Sequence, residues 1–154
     1  MMVAPHQSGE SLVQNWFRPR AVRRREAEVR RRAEDAIAFL ELGPVAHELA
    51  GRLSGGQKKL LELGRTMMTD AKLVLLDEPA AGMTHEEVLR TAALIREINQ
   101  RHALIVVEHD MQFVRMIART VTVFNQGLIL MQDDVAAVLA DQRVRDVYLG
   151  KQAA

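Results

Sequence analysis

Two short apolar runs separated by a helical pattern constrain this chain more than any other feature. Leu73–Leu76 is a run of four apolar residues, and Ala103–Val107 is a run of five. Between them, residues 84–101 repeat apolar side chains every three to four positions, as an amphipathic helix does. Strands that are apolar on both faces belong inside a parallel sheet covered by helices. We therefore expect an α/β fold with a right-handed strand–helix–strand unit and a parallel sheet flanked by helices.

The segments on both sides of this unit predict further helices and one hairpin. Gly43-Pro44 is a stop signal for the helix before it. Thr84 and Glu87 have the spacing of a helix capping box. Asn125-Gln126-Gly127 lies between two apolar runs and predicts a β-hairpin with the glycine in a left-handed conformation. The remaining predictions, in chain order, are loop or frayed helix over residues 1–20, helices over 21–42, 55–69 and 111–119, and short helices over 133–140 and 142–149.

Composition excludes several classes of protein. The chain has 154 residues, 48% of them hydrophobic, which suits one domain with an ordinary core. It has no cysteine, so disulfides and thiolate metal sites are excluded. No stretch reaches the ~20 apolar residues of a membrane-spanning helix. We expect no secretory signal, because no basic segment leads into an apolar run at the start. The net charge of +1 argues against a general nucleic-acid binder.

Two acids follow directly after the first apolar run. In α/β proteins, ligands bind at the carboxyl ends of the parallel strands, where Asp77 and Glu78 are expected. Asp77 is suited to hold Mg²⁺, directly or through water. Glu78 is suited to polarise an attacking water molecule. The alternative is a strand end with two solvated acids, and Pro79 ends the strand in either case.

The string Ser54-Gly55-Gly56-Gln57 opens a helix with a hydroxyl, two glycines and an amide. The first turn of a helix has N–H groups without intrahelical partners, and glycines leave them open to a phosphate. The alternative is an N-cap serine before a glycine turn, which is a common local structure.

A histidine follows the second apolar run. His109 should lie near the same sheet edge as Asp77 and Glu78, where a neutral imidazole can donate a hydrogen bond to a phosphate oxygen. Glu108 and Asp110 beside it are expected to be solvated, capping or orienting groups. Structural roles are expected for the other histidines, which are His6, His47, His85 and His102.

These strings, in this order and at these spacings, resemble the second half of an ABC-type ATPase, the nucleotide-binding subunit of ABC transporters. The resemblance implies a P-loop-NTPase-like fold with ATP and Mg²⁺ as cofactors. It identifies Ser54, Gly55, Gly56 and Gln57 as the signature motif, which contacts the γ-phosphate of ATP held on the facing subunit. It identifies Asp77 as the Walker B aspartate, Glu78 as the catalytic glutamate and His109 as the switch histidine. Thr84 stands where the family's D-loop usually has an aspartate, which puts a D-loop carboxylate in doubt.

The resemblance covers about the last three-fifths of a complete subunit. No G-x-x-x-x-G-K-[ST] phosphate loop is present, and the resemblance implies that the family's N-terminal strands and that loop are missing. Residues 1–64 are expected to be part of the helical subdomain with the signature motif. Residues 65–154 are expected to be the C-terminal part of the ATPase core, with the Walker B motif, switch histidine and closing hairpin and helices. The chain alone is expected to hydrolyse ATP negligibly.

Short strings indicate which transporters the chain is most similar to. Residues 78–83, 107–111 and 147–150 resemble importers of branched-chain amino acids, or of urea and short amides. The resemblance implies a head-to-tail dimer with a second ATP-binding subunit, transmembrane permease subunits as partners, and a cytoplasmic position on the inner face of the cell membrane. No nucleic-acid partner is expected. The alternatives are a non-catalytic docking or regulatory module that pairs with intact subunits, and a fragment of a soluble ABC ATPase.

Eight arginines crowd one segment near the start of the chain. We favour a solvated helix face, because acids are interleaved with the arginines. The alternative is a patch that meets acidic groups on a partner or anionic lipid near a membrane. The arginines are Arg18, Arg20, Arg23, Arg24, Arg25, Arg30, Arg31 and Arg32.

Overall fold

The computed structural model of the protein describes residues 19–69 and 71–149. The prediction of loop or frayed helix over residues 1–20 therefore falls almost entirely outside the described residues, as does the end of the 147–150 string. The described chain forms two compact units that divide between Val107 and Glu108.

The elements of the first unit follow the order that the sequence predicts. Short 3₁₀ turns at Gly43–Val45 and Ala50–Arg52 connect its first two helices. The elements are helix α1 (Pro19–Phe39), helix α2 (Gly55–Met67), strand β1 (Leu73–Asp77), helix α3 (His85–Ile98) and strand β2 (Ala103–Val107).

Helix α1 ends earlier than predicted, and a glutamate rather than a glycine ends it. Glu41 has φ 53°, in the left-handed region. The N–H of Leu42 donates to the Ile37 carbonyl at 2.9 Å, and the N–H of Glu41 donates to the Ala38 carbonyl at 3.0 Å. This pair of hydrogen bonds is a Schellman motif, which satisfies the last carbonyls of a helix. The Gly43-Pro44 signal therefore acts in the 3₁₀ turn that follows.

Strands β1 and β2 pair in parallel, as the sequence predicts. Leu73 is opposite Ala103 and Asp77 is opposite Val107. One face of the pair is covered, with Val74 only 5% exposed. The other face presents large apolar side chains to solvent, at exposures of 49% to 69%. We call this the open sheet face, and its residues are Leu73, Leu75, Ile105 and Val107.

The open sheet face corrects one expectation from the sequence. Strands that are apolar on both faces predict helices on both sides of the sheet. In the described part of the chain, only the side of the sheet that contains Val74 is covered. The strands are apolar on both faces, as the sequence predicts, but the described helices leave one face uncovered.

Close packing joins α1 to α2. Val29 and Ala36 of α1 form a buried cluster with Met68, just beyond α2. Gly64 allows a close approach, because a Cβ atom at that position would lie 2.6 Å from Cδ1 of Leu40. Leu40 is 1% exposed, so this contact belongs to the core of the unit.

The second unit is a hairpin covered by short helices. Its elements are helix α4 (Met111–Ile117), strand β3 (Thr120–Asn125), strand β4 (Leu128–Asp134), helix α5 (Val135–Ala140) and helix α6 (Gln142–Leu149). Gln126 and Gly127 have φ values of 50° and 80°, as a two-residue hairpin turn requires. Val123, Val138 and Val144 form the unit's buried cluster. No helix in residues 19–69 or 71–149 is both long and apolar enough to cross a membrane.

Candidate functional site

The two acids after β1 occupy a strained strand end. Asp77 is the last residue of the strand and lies on the same face as Leu75. The N–H of Glu78 donates to the Val107 carbonyl at 3.0 Å, which extends the pairing with β2 by one bond. Glu78 has φ 45°, a left-handed conformation that costs a non-glycine residue about 1–2 kcal/mol. Strained backbone of this kind clusters at functional sites, and both acidic residues are exposed.

A short turn segment links these acids to α3. The N–H of Ala81 donates to the Glu78 carbonyl at 3.2 Å, and Gly82 has φ 73°. Thr84 then caps α3 with its hydroxyl, which accepts from the N–H of Glu87 at 3.4 Å. The Glu87 carboxylate accepts in return from the N–H of Thr84 at 2.8 Å. This bond, more than the one from the Thr84 hydroxyl, holds the pKa of Glu87 below its usual value. The predicted capping box is confirmed.

A second capping box opens α2. The N–H of Gln57 donates to the Ser54 hydroxyl oxygen at 3.1 Å, and the N–H of Ser54 donates to Oε1 of Gln57 at 2.9 Å. Both bonds use side-chain oxygens as acceptors. The Ser54 hydroxyl hydrogen and the two Nε2 hydrogens of Gln57 remain suitable as donors to an anion. The N–H groups of Gly55 and Gly56 add two donors that have no acceptor within the helix.

The first turns of α2 and α3 meet at a glycine. A Cβ atom on Gly56 would lie 2.4 Å from Oε1 of Glu87, so only glycine allows the Glu87 carboxylate to lie there. Gly55 has no neighbouring atom within 4 Å of the same position, and it is exposed. The two glycines therefore differ, since Gly55 faces solvent and Gly56 packs against the Glu87 carboxylate in the first turn of α3.

A small cavity lies behind this contact. Its volume is about 120 Å³, and Gly56, Gln57, Glu87 and Arg90 are among the residues that line it. Arg90 forms an ion pair with Glu41 and donates to the Leu40 carbonyl at 3.4 Å. No pattern in the sequence predicts these contacts. The capping box gave the position of Glu87 in α3, but no sequence signal indicates that a residue of another helix lies beside it.

His109 belongs to the second unit, two residues after Val107. The backbone N–H of His109 donates to Oε2 of Glu108 at 3.2 Å, and the side chain of His109 is exposed. Asp110 caps α4 by accepting from the N–H of Gln112 at 2.8 Å, which confirms the capping role expected near His109. In contrast, His102 bonds through Nδ1 to the Ala71 carbonyl at 2.8 Å, a structural contact at the start of β2.

The acids suit a metal ion that is shared with a phosphate ligand. Among the described residues, no group of three or more carboxylates and imidazoles could hold a metal ion by itself. Mg²⁺ is usually held by one or two carboxylates together with substrate phosphates and water. Asp77, exposed at a strand end, fits a single carboxylate ligand in such a site.

The chain is similar to ATP-binding proteins of ABC transporters. Residues 3–81 match the family described as ABC transporter. The chain is 32% identical to the high-affinity branched-chain amino acid transport ATP-binding protein BraF of Pseudomonas aeruginosa, over 98% of this chain and 60% of that protein. It is 31% identical, with the same coverage, to LivG of Salmonella typhimurium, which has the same description.

A solved structure extends this similarity to the fold. The crystal structure of an ATP-binding cassette of an ABC transporter, in its ADP conformation, matches with a TM-score of 0.71 at 30% identity. The match covers 80% of this chain and 50% of that one. The α/β fold with a parallel sheet and flanking helices is therefore confirmed, and the chain spans 60% of the length of the two relatives above.

Proposed function

We propose a function on the premise that the chain belongs to the ABC transporter family, which residues 3–81 of the chain match. The chain is the C-terminal part of an ATP-binding subunit, and the complete subunit couples ATP hydrolysis to solute import. The observation that carries this proposal is the arrangement of Asp77 at the end of a parallel strand, followed by Glu78 in a left-handed conformation. Relatives named for branched-chain amino acid transport support that class of solute, with urea or short amides as the alternative.

Each candidate residue has a role that its position supports. Asp77 would hold Mg²⁺, and the bound ion would neutralise charge on the phosphates. Glu78 polarises the attacking water, and His109 donates a hydrogen bond to a γ-phosphate oxygen. Ser54, Gly55, Gly56 and Gln57 donate to the γ-phosphate of an ATP molecule that the facing subunit holds. The donors left by the Ser54–Gln57 capping box support this last role.

The partners and location follow from the same proposal. The signature motif and the acids serve different ATP molecules, so a second ATP-binding subunit packs head to tail against the complete one. Transmembrane permease subunits select the solute, and the assembly places this subunit at the inner, cytoplasmic face of the cell membrane. Residues 1–64 contribute to the helical subdomain, and residues 65–154 contribute to the ATPase core.

Hydrolysis assays test the proposal. The 154-residue chain alone is expected to leave the rate of ATP hydrolysis at the uncatalysed rate measured in buffer. Co-expression with the segment of the Pseudomonas aeruginosa relative that precedes the matched region should give a hydrolysing complex. Glu78→Gln should then lower the rate by about 10²–10⁴, the usual contribution of a catalytic base. Glu97→Gln, a matched change of an exposed glutamate in α3, should leave the rate unchanged. ATP turnover by the pure chain alone, lost in Glu78→Gln, would refute the proposal.

The open sheet face favours a second candidate function. Its four apolar side chains are 49% to 69% exposed, and large exposed apolar patches mark sites of protein–protein interaction. A non-catalytic module that docks onto intact ABC subunits would use this face. Adding the chain to a purified full-length homologue should then change the homologue's ATPase rate and its oligomer size by gel filtration. No change in either quantity would eliminate this candidate.

A further inference from the structure

Helix α1 carries a charged face that the proposed ATP site does not use. Residues 19–32 contain seven arginines and two glutamates. Five of these arginines are exposed, and we call them the arginine face: Arg20, Arg23, Arg24, Arg30 and Arg31.

The arginine face lies opposite the packed side of α1. Val22, Val29 and Ala36 are buried, with exposures of 5%, 3% and 9%, and they define the inner side of the helix. At ~100° per residue, Arg20 and Arg31 lie within about 20° of each other on the outer side. The eleven steps between them span ~16 Å along the helix axis. The face is therefore a row of guanidinium groups along one side of a rigid helix.

Acidic side chains lie at the edges of this row. Glu28 is paired with Arg25 at 3.0 Å, and Arg25 lies closer to the packed side than the arginine face does. Glu34 and Asp35 follow only after the last arginine of the row. Glu26 and Glu28 are also exposed and flank the row, but the seven arginines outnumber these two glutamates, so residues 19–32 are strongly basic although the whole chain has a net charge of only +1.

We propose that the arginine face binds the anionic headgroups of phospholipids at a membrane surface. A lipid surface is a continuous array of phosphates, so each exposed guanidinium can reach one without a pocket of fixed shape. Residues 19–38 contain no aromatic side chain, although base stacking is the usual means of holding single-stranded nucleic acid. The charge and shape of the face therefore favour a lipid surface over a nucleic acid. This inference goes beyond the proposed ATP site, because it needs neither nucleotide nor permease.

Vesicle binding by the full chain tests the inference. The chain should co-sediment with phosphatidylcholine vesicles that contain phosphatidylglycerol, and far less with pure phosphatidylcholine. Each basic residue near an anionic surface contributes about a fivefold increase in binding, so the triple change Arg20→Gln, Arg24→Gln, Arg31→Gln should weaken binding about a hundredfold. High salt should weaken the binding of the unmodified chain as well.

Two further triple variants control for charge and folding. Arg96, Arg101 and Arg119 are exposed arginines outside α1, and changing all three to glutamine removes the same net charge. This control should bind almost as well as the unmodified chain. Changing Arg20, Arg24 and Arg31 to lysine keeps the charge and should retain most of the binding. Circular dichroism of each variant checks that α1 remains helical.

Three results would overturn the inference. Equal loss of binding in the two glutamine triples would mean that net charge, not this face, attracts the vesicles. Binding that is equal on neutral and anionic vesicles would assign membrane contact to apolar groups such as the open sheet face. Tighter binding to a single-stranded oligonucleotide than to anionic vesicles, lost in the Arg20, Arg24 and Arg31 glutamine triple, would assign the face to nucleic acid. None of these results depends on ATP hydrolysis, so they test this inference independently of the proposed function.

Discussion

Replacing each glycine of the pair that opens α2 with alanine should have opposite effects on stability. At Gly55 a Cβ atom meets no other atom within 4 Å. Alanine is favoured over glycine in helices by up to ~1 kcal/mol, so Gly55→Ala should be neutral or slightly stabilising. At Gly56 the same Cβ would lie 2.4 Å from Oε1 and 2.8 Å from Cδ of Glu87. The Glu87 carboxylate must therefore move in Gly56→Ala.

The cost of that movement follows from what holds Glu87 in place. Its Oε2 accepts from the N–H of Thr84 at 2.8 Å and from the Thr84 hydroxyl at 3.0 Å. Losing a capping interaction costs about 1 kcal/mol, and overpacking costs about 1–3 kcal/mol where the neighbour stays in place. Gly56→Ala should therefore be less stable than Gly55→Ala by about 1–3 kcal/mol. For a chain of this length, that difference lowers Tm by roughly 3–10 °C.

Thermal unfolding followed by circular dichroism, with urea unfolding as a second measure, gives both stabilities. The contact predicts coupling: in a Glu87→Ala background the difference between the two glycine variants should shrink to less than about 0.5 kcal/mol. Equal Tm values for Gly55→Ala and Gly56→Ala would refute the contact between α2 and α3. A difference of the same size with and without Glu87 would show that a group other than this carboxylate is responsible.

Three further predictions concern local features of the two units. Glu78→Gly should be more stable than Glu78→Ala by about 1 kcal/mol in urea unfolding, because only glycine adopts the left-handed backbone freely; at helical Glu97 the order should reverse by a similar amount. Thr84→Ala should lose about 1 kcal/mol of stability, while Thr84→Ser, which keeps the hydroxyl that accepts from the Glu87 N–H and donates to the Glu87 carboxylate, stays close to the unmodified chain; equal losses would exclude a capping role. The Arg143 side chain lowers the pKa of Asp141 from the usual 3.8 to about 2. The stability contributed by the ionised Asp141 carboxylate is therefore complete above pH 3.8 and is lost as pH falls through 2. Carboxyl NMR titration should show the Asp141 midpoint near 2, moving upward in Arg143→Gln, and an unshifted midpoint would contradict the ion pair.

Local spacing explains which parts of the site could be predicted from the sequence. Ser54 with Gln57 and Thr84 with Glu87 are capping pairs three residues apart, and their geometry is fixed by a single helical turn. The placement of Asp77 was predictable because the carboxyl ends of parallel strands share one edge of a sheet. These inferences need no knowledge of how distant segments pack.

The features that could not be predicted depend on packing or on competition between signals. Glu87 lies beside Gly56, which is 31 positions away in the sequence, and the composition of neither segment encodes their contact. Gly43-Pro44 is a stronger stop signal than Glu41, yet the carbonyls of α1 are satisfied by a Schellman motif around Glu41. The open sheet face could not be predicted from the sequence. An apolar strand indicates that both of its faces favour burial, but it does not indicate which segment covers each face.

The open sheet face and the proposed metal ligand are physically linked. Asp77 continues the alternation of Leu73 and Leu75, so it stands on that face at the carboxyl end of the strand. Full burial of an aliphatic side chain contributes about 1.5–3 kcal/mol, so covering the four half-exposed residues would contribute roughly 3–6 kcal/mol. A segment that covers them must also approach Asp77, where it would exclude water and strengthen the attraction between the carboxylate and a metal–phosphate ligand. Binding of the covering segment and binding of Mg²⁺ with nucleotide should therefore be cooperative, each increasing the affinity for the other by the same factor.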